Sequence, residues 1–386
     1  MNVIKNYQKE FSLRKLVLYF LKLGALGFGG SIALTRSMQK DLVEKEKWLT
    51  QEEFLRGLTL SQLAPGPLAA QLAMYIGYMQ AKILGATIAG IAFILPSFLA
   101  VVIIGIIYTR FSNFLLLRSA LLGIGAAVIG IITSSAYALT KRTMKKKLLL
   151  WIIYLTVFLI TIITNSTNIL FFLGAGILTM IIYTKEKLAI PKKDWVVAPF
   201  MISPLTLLGA IAQIPLVQLF VFFFMAGSIA FGGGLAILPF LQHGVISQYH
   251  WLTNKEFVDA VSIAMITPGP VVIAATFIGY LVANVPGAII ATIAIFLPVY
   301  LIVIFLTPLF NRHSQNQRFV AFIEGVTAAA MGSIAGSIIL LSKQSIISIP
   351  TLVIAIGSLL AIRLFKIPTI ILIVIAGIIG IFLPHA

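Results

Sequence analysis

The chain has 386 residues, 60% of them hydrophobic and 10% charged, with a mean hydropathy of +1.07. It contains no cysteine, which excludes disulfides and thiolate-held metals. The net charge of +17 would suggest nucleic acid in a water-soluble chain. Here, however, the lysines and arginines crowd the short connections between apolar runs, which is the positive-inside pattern of membrane proteins. Acidic lipid headgroups, not nucleic acid, are the neighbours this pattern implies. No metal cluster, nucleotide loop or catalytic constellation stands out, so neither an enzyme nor a cofactor is expected.

In chain order, a polar start (Met1 to Ser12) precedes apolar runs that predict helical spans near residues 16–35, 58–80, 83–108, 116–139, 148–164 and 168–184. The first run contains Phe28-Gly29-Gly30-Ser31. The second contains Pro65-Gly66-Pro67, which a continuous helix does not accommodate, because proline donates no hydrogen bond and clashes with the preceding turn; a kinked span and a re-entrant hairpin fit it equally well. In hydrocarbon each unpaired backbone group costs several kcal/mol. The connection 36–56 between these runs is charged but balanced, whereas Lys141–Lys147 and Lys185–Lys193 are strongly basic. No charged residue lies between Asp194 and Lys255, a stretch that fits two crossings near 195–213 and 216–238.

The breaks recur. An offset of 203 carries Phe28-Gly29-Gly30 onto Phe231-Gly232-Gly233, Trp48-Leu49-Thr50 onto Trp251-Leu252-Thr253, Glu53 onto Glu256, and Pro65-Gly66-Pro67 onto Pro268-Gly269-Pro270. An offset of 202 then carries Ile76-Gly77-Tyr78 onto Ile278-Gly279-Tyr280, Leu95-Pro96 onto Leu297-Pro298, and Gly123 onto Gly325. The chain thus reads as a tandem duplication, residues 1–190 and 191–386. With the N-terminus inside, the extra crossing near 195–213 inverts the second copy. Lys255, Arg312, Arg318, Arg363 and Lys366 then lie inside and Lys343 outside. The expected fold is an all-α polytopic membrane protein, with 12 or 13 transmembrane helices in two homologous halves forming an inverted-topology repeat.

Paired, interrupted segments in inverted halves are the mark of a secondary transporter. Half-helices ending at a break offer free N–H groups and a positive dipole end to an anion. The candidate substrate site therefore comprises Phe28, Gly29, Gly30, Ser31, Pro65, Gly66 and Pro67 in the first half. Its matched second part is Phe231, Gly232, Gly233, Gly234, Pro268, Gly269 and Pro270, and Gln62 and Gln71 flank the first break. The alternative for the small residues is helix packing alone. Arg36 and Lys40 are expected to steer anions at the outer mouth. Glu53 and Glu256 are either helix caps or proton-coupling groups, and Glu324 is a further proton-coupling candidate.

The order FGG, a charged stretch ending in W-L-T, then PGP, I-G-Y and L-P, present twice, resembles the chromate ion transporter family in its long, two-domain form. The resemblance covers about residues 24–139 and 226–341. It implies export of chromate across the cytoplasmic membrane, driven by the proton-motive force; the cytoplasmic N-terminus is expected from the basic clusters at 141–147 and 185–193. Sulfate or another small substrate fits the same scaffold, and a homodimer stays open. The chain departs from many relatives in Ser31, where they carry proline, and in Lys40, where they carry arginine.

Overall fold

The computed structural model describes residues 12–28, 30–111, 114–144, 147–164, 169–183, 214–230, 234–313 and 317–383. These residues are helical or in turns. The first half holds α1 (Leu13–Leu26), α2 (Gly30–Met38), α3 (Gln51–Leu63), α4 (Leu68–Phe111), α5 (Leu115–Met144), α6 (Leu148–Thr164) and α7 (Ile169–Tyr183). The second holds α8 (Pro215–Ser228), α9 (Leu238–Gln242), α10 (Asn254–Ile266), α11 (Ala274–His313), α12 (Gln317–Ser345), α13 (Ile349–Phe365) and α14 (Thr369–Ile381). Among the described residues, four stretches are long and apolar enough to cross a membrane: Leu68–Phe111, Leu116–Lys141, Val271–Phe305 and Val320–Ser345. Five shorter apolar helices accompany them.

The long helices α4 and α11 are each folded back on themselves. Ala81 and Lys82 leave helical geometry, with Lys82 at φ 52°, and so do Ala283 and Asn284, with Asn284 at φ 50°. Gly77 lies against the backbone of Gly85, and Gly279 against that of Gly287, so each bend is a tight antiparallel hairpin. Small residues permit this approach, and close backbone packing is what holds helices together in lipid. Gly77→Leu is expected to destabilise the detergent-solubilised protein by about 3 kcal/mol, the upper end of an overpacking penalty. Gly174→Ala, with open space around its Cα, is the neutral control. Thermal unfolding followed by size-exclusion checks both.

The segment before each bend also returns to where it began. The Tyr75 hydroxyl donates to the Glu53 carbonyl at 3.1 Å, and the Gln80 side chain to the Trp48 carbonyl at 2.6 Å. α3 and the first arm of α4 (68–80) therefore run antiparallel, with Pro65-Gly66-Pro67 at their tip. Each arm of 13 residues is about 20 Å long, which reaches past the middle of a hydrocarbon core ~30 Å thick. α1 and α2 behave alike: the Tyr19 ring meets that of Trp48 at 6.0 Å, and Gly27 lies against Leu34. The expected spans 16–35 and 58–80 are thus not single crossings. Each is interrupted at its glycine or proline, and its pieces form arms that enter and leave at one face. The second arm of α4 (83–111) continues to the other face. Its Ile91, Leu95, Leu99, Ile103 and Ile107 recur every fourth residue, 40–59% exposed, as a lipid-facing stripe.

This geometry corrects the expected orientation of two connections. The 36–56 stretch, with Arg36 and Lys40, lies at the face where α1 starts, because α1 and α2 turn back. Lys255 lies at the opposite face, beside Arg118, and not with Arg363 and Lys366. The proposed crossing near 195–213 and the boundary near residue 190 lie outside the described residues.

The halves interleave. α5 packs against α13 and α14, and α12 against α6 and α7. Gly123 lies on the Ala376 backbone and Gly130 on that of Ala355; their counterparts Gly325 and Gly332 lie on Ala175 and Tyr154. Each half's closing helix pair thus clasps the other half's long central helix.

Candidate functional site

Both Pro-Gly-Pro turns open on a left-handed glycine, with φ +128° at Gly66 and +105° at Gly269. Each turn is held by the other half. The Gly66 amide donates to the Ala230 carbonyl at 3.0 Å, and the Gly269 amide to the Gly27 carbonyl at 3.1 Å. Ala230 immediately precedes the second FGG and Gly27 lies within the first break, so each PGP tip docks on the opposite half's glycine break. The long arms complete the contact. Ser97, just after Leu95-Pro96, donates to the Pro268 carbonyl at 2.6 Å, and its counterpart Val299 packs on Gly66.

At this junction several helices begin. α2 starts at Gly30. The first hydrogen bond of α4 runs from the Gln71 amide to the Pro67 carbonyl at 3.0 Å, so the amides of Leu68, Ala69 and Ala70 precede it and have no acceptor within the helix. After the second turn the Ile273 amide donates to the Pro270 carbonyl at 3.0 Å, leaving those of Val271 and Val272 ahead of the helix. Helix N-termini from both halves thus meet where the tips do, and their partial positive charge suits an anion.

Gln71 is fully buried, and neither its amide nitrogen nor its oxygen has a hydrogen-bond partner. A helical side chain leans toward its own N-terminus, which here is the PGP end of the arm. A buried unsatisfied amide costs about 1–3 kcal/mol, so Gln71 stands out among the buried polar side chains.

The other expected residues are distributed as follows. Pro67 and Pro270 are buried, and Pro65, Pro268, Gly269 and Ser31 half-buried. Gly234 is half-buried, beside Val271 and Val272. Phe28 is 40% exposed, and Gln62 is exposed, unlike Gln71. Gly29, Phe231, Gly232 and Gly233 lie outside the described residues. Arg36 and Lys40 are exposed.

Glu53 and Glu256 close two capping boxes of matching geometry. Each carboxylate accepts from the backbone amide of Thr50 or Thr253 at 2.8 Å, while the threonine hydroxyl accepts from the glutamate's own amide at 3.2 Å. Glu53→Ala and Glu256→Ala are expected to cost about 1 kcal/mol each and to leave the pH dependence of transport unchanged. Thermal unfolding and a pH profile of uptake check this. Glu324 is paired with Lys147, whose ammonium lies 4.9 Å from the centre of the Tyr183 ring.

Sequence reasoning passed over two residues. Ser97 was hidden among apolar neighbours; only its place after Leu95-Pro96 marks it. Asp259 stands near Lys255 and Glu256 before the second PGP, and nothing in the local pattern sets it apart from them. It is 3% exposed and accepts a hydrogen bond from the Tyr108 hydroxyl at 2.9 Å.

Lipid-facing stripes, apolar crossings and broken helices meeting inside define a multi-pass membrane protein, and its polar centre is built largely from backbone. The family model described as "Chromate transporter" matches residues 14–180 and 217–381, and the chain belongs to that family. It is 48% identical to a chromate transport protein of Cupriavidus metallidurans over 92% of this chain and 89% of that protein. It is 45% identical to a probable chromate transport protein of Synechococcus elongatus, over 96% and 95% of the two chains. An uncharacterized transporter of Bacillus subtilis is 32% identical over 42% of this chain and 94% of its own length, so a half-length relative matches about one half here. No solved structure matches the chain.

Proposed function

We propose that this protein is a secondary transporter that exports chromate across the cytoplasmic membrane, driven by the proton-motive force. Its two halves act as an inverted-topology repeat. The observation that carries this reading is the reciprocal docking of each PGP tip on the opposite half's glycine break, with helix N-termini and the unpartnered Gln71 amide at the junction. A tetrahedral dianion can be held there by backbone N–H groups without a buried cationic side chain. The substrate shell is Gly30, Ser31, Pro65, Gly66, Pro67 and Gln71 with Gly234, Pro268, Gly269 and Pro270.

The inverted relation is supported by the order of contacts between the long arms. The Thr87 hydroxyl lies 2.7 Å from that of Tyr300, while Gly105 packs on Tyr280. Thr87 lies close after the α4 bend and Tyr280 just before the α11 bend, so the two bends sit at opposite faces. Re-entrant arms then enter from both sides, and exchanging which pair is packed tightly exposes the junction to one face or the other. Lys45, Lys47, Lys82, Lys141, Lys147, Arg363 and Lys366 gather at the face where α1 starts, which supports a cytoplasmic N-terminus.

Inside-out vesicles containing the protein are expected to accumulate chromate under an imposed proton gradient, several-fold above empty vesicles. A protonophore abolishes the accumulation, and excess sulfate measures selectivity. No accumulation by folded protein overturns chromate as the substrate. Unchanged accumulation with the protonophore overturns the coupling.

A further inference from the structure

Asp259 lies one turn inside α10, below the exposed Thr253, Asn254 and Lys255, at the face opposite the start of α1. Its partner Tyr108 stands near the end of α4 in the other half and is packed edge-on against Phe277, ring centres 5.2 Å apart. The charged groups facing it are Lys255 and Glu256 of its own helix and Arg118 of α5. α11, α12 and α14, also packed on α10, contribute no ionisable group to it among the described residues.

Among the described residues, the other face pairs a tyrosine with an acid in a different setting: Tyr19 of α1 lies beside the half-buried Asp41 in the connection after α2, and no re-entrant arm is tied to a long arm there. The repeat places Arg56 where Asp259 stands and Phe310 where Tyr108 stands, and Arg56 is exposed and paired with Glu52. In a molecule otherwise built as two matching halves, a buried carboxyl group ties a re-entrant arm to a long arm at one end alone.

We infer that Asp259 is the proton-coupling residue, and that its bond to Tyr108 is a latch holding the α10 arm closed at that face. This rests on the transport reading above and names the group through which protons act on it. The ionised carboxylate accepts the tyrosine proton in a charge-assisted bond, stronger than the one the neutral acid accepts. Withdrawal from water makes a carboxyl group hold a proton more readily. A proton arriving from the second face adds to the carboxylate, weakens the latch and frees the arm, and the junction opens to that face. When the arms exchange, the carboxyl group is sealed from the second face, gives its proton up through the emptied junction to the first face, and the bond to Tyr108 re-forms. Acidity at the second face thus favours the state from which the anion departs.

Proteoliposomes with wild-type protein, Asp259→Asn and Tyr108→Phe separate this from the substrate reading. Counterflow of chromate at equal pH on both sides is expected to persist in Asp259→Asn within about twofold. Its gradient-driven accumulation falls at least tenfold, and Asp259→Glu restores part of it. Tyr108→Phe shifts the pH midpoint of accumulation. Wild-type accumulation in Asp259→Asn overturns the inference, as does loss of counterflow and gradient-driven transport in equal measure by a folded variant. If the wild-type protein shows neither activity, the substrate reading fails and the latch is read without substrate. A single cysteine at Lys255→Cys then reacts with a membrane-impermeant maleimide at a rate, relative to Gln248→Cys, that depends on pH. Asp259→Asn removes that dependence if the latch is proton-controlled, and an unchanged dependence overturns it.

Discussion

Gly269→Val is expected to abolish chromate accumulation while leaving the protein in the membrane. At φ +105° a residue with a Cβ is strained by roughly 1–3 kcal/mol. The added Cβ also falls inside contact distance of the Ser97 hydroxyl, which donates to Pro268 in the same turn. Displacing Ser97 loses a hydrogen bond worth about 1 kcal/mol. A total near 3 kcal/mol lowers the population of the intact junction on the order of 100-fold. Gly66→Val meets the same backbone strain at φ +128° but a softer neighbour, since its Cβ would stand 2.5 Å from the Cγ2 of Val299. The ordering predicted is therefore Gly269→Val worse than Gly66→Val, read as uptake per unit of immunodetected protein. Uptake by Gly269→Val equal to wild type would mean that the tips only pack.

The second large effect is at Gln71. Gln71→Leu conserves most of the volume and removes a buried amide that has no protein partner. Two outcomes are expected together. The KM for chromate rises about tenfold, the loss of roughly 1.4 kcal/mol of binding. The melting temperature in detergent rises or stays level, because an unsatisfied buried amide costs about 1–3 kcal/mol. A structural glutamine behaves the other way, with a lowered melting temperature and an unchanged KM. The exposed Gln62, nine residues earlier, is the internal control, and Gln62→Leu leaves KM within about twofold.

The duplication, the broken helices and the two capping boxes were legible in the sequence, because each is a local pattern: glycines and prolines at fixed spacing, or Thr-x-x-Glu before an apolar run. The return of the chain was left open, since a kinked span and a re-entrant hairpin fit the PGP breaks equally well. A run such as 16–35 has the length and hydropathy of a crossing, and window averages see no difference between a straight helix and two arms folded after Gly27. The hairpin bends were equally silent. Lys82 and Asn284 take positive φ, and neither position carries the glycine that would announce a turn. Misplacing the 36–56 connection and Lys255 followed from counting such runs as crossings, since a hairpin read as a crossing reverses the side of everything up to the next one. Asp259 escaped for a different reason. Its partner Tyr108 is 151 residues away in the chain, and only the folded arrangement of α4 against α10 shows that the acid is buried.

The arrangement as a whole rests on re-entrant arms that enter from opposite faces and meet at the PGP tips. The chain has no native cysteine, so single cysteines can be placed without background. Glu46 and Gln248 are exposed and sit beside the matched turns that lead into α3 and α10. Glu46→Cys and Gln248→Cys, each in a transport-competent protein, would be labelled with a membrane-impermeant maleimide in right-side-out and inside-out vesicles. The account predicts opposite results, Glu46→Cys labelled only in inside-out vesicles and Gln248→Cys only in right-side-out ones. Labelling of both from the same side would contradict it, because arms that enter from one face cannot expose a shared site to the two faces in turn.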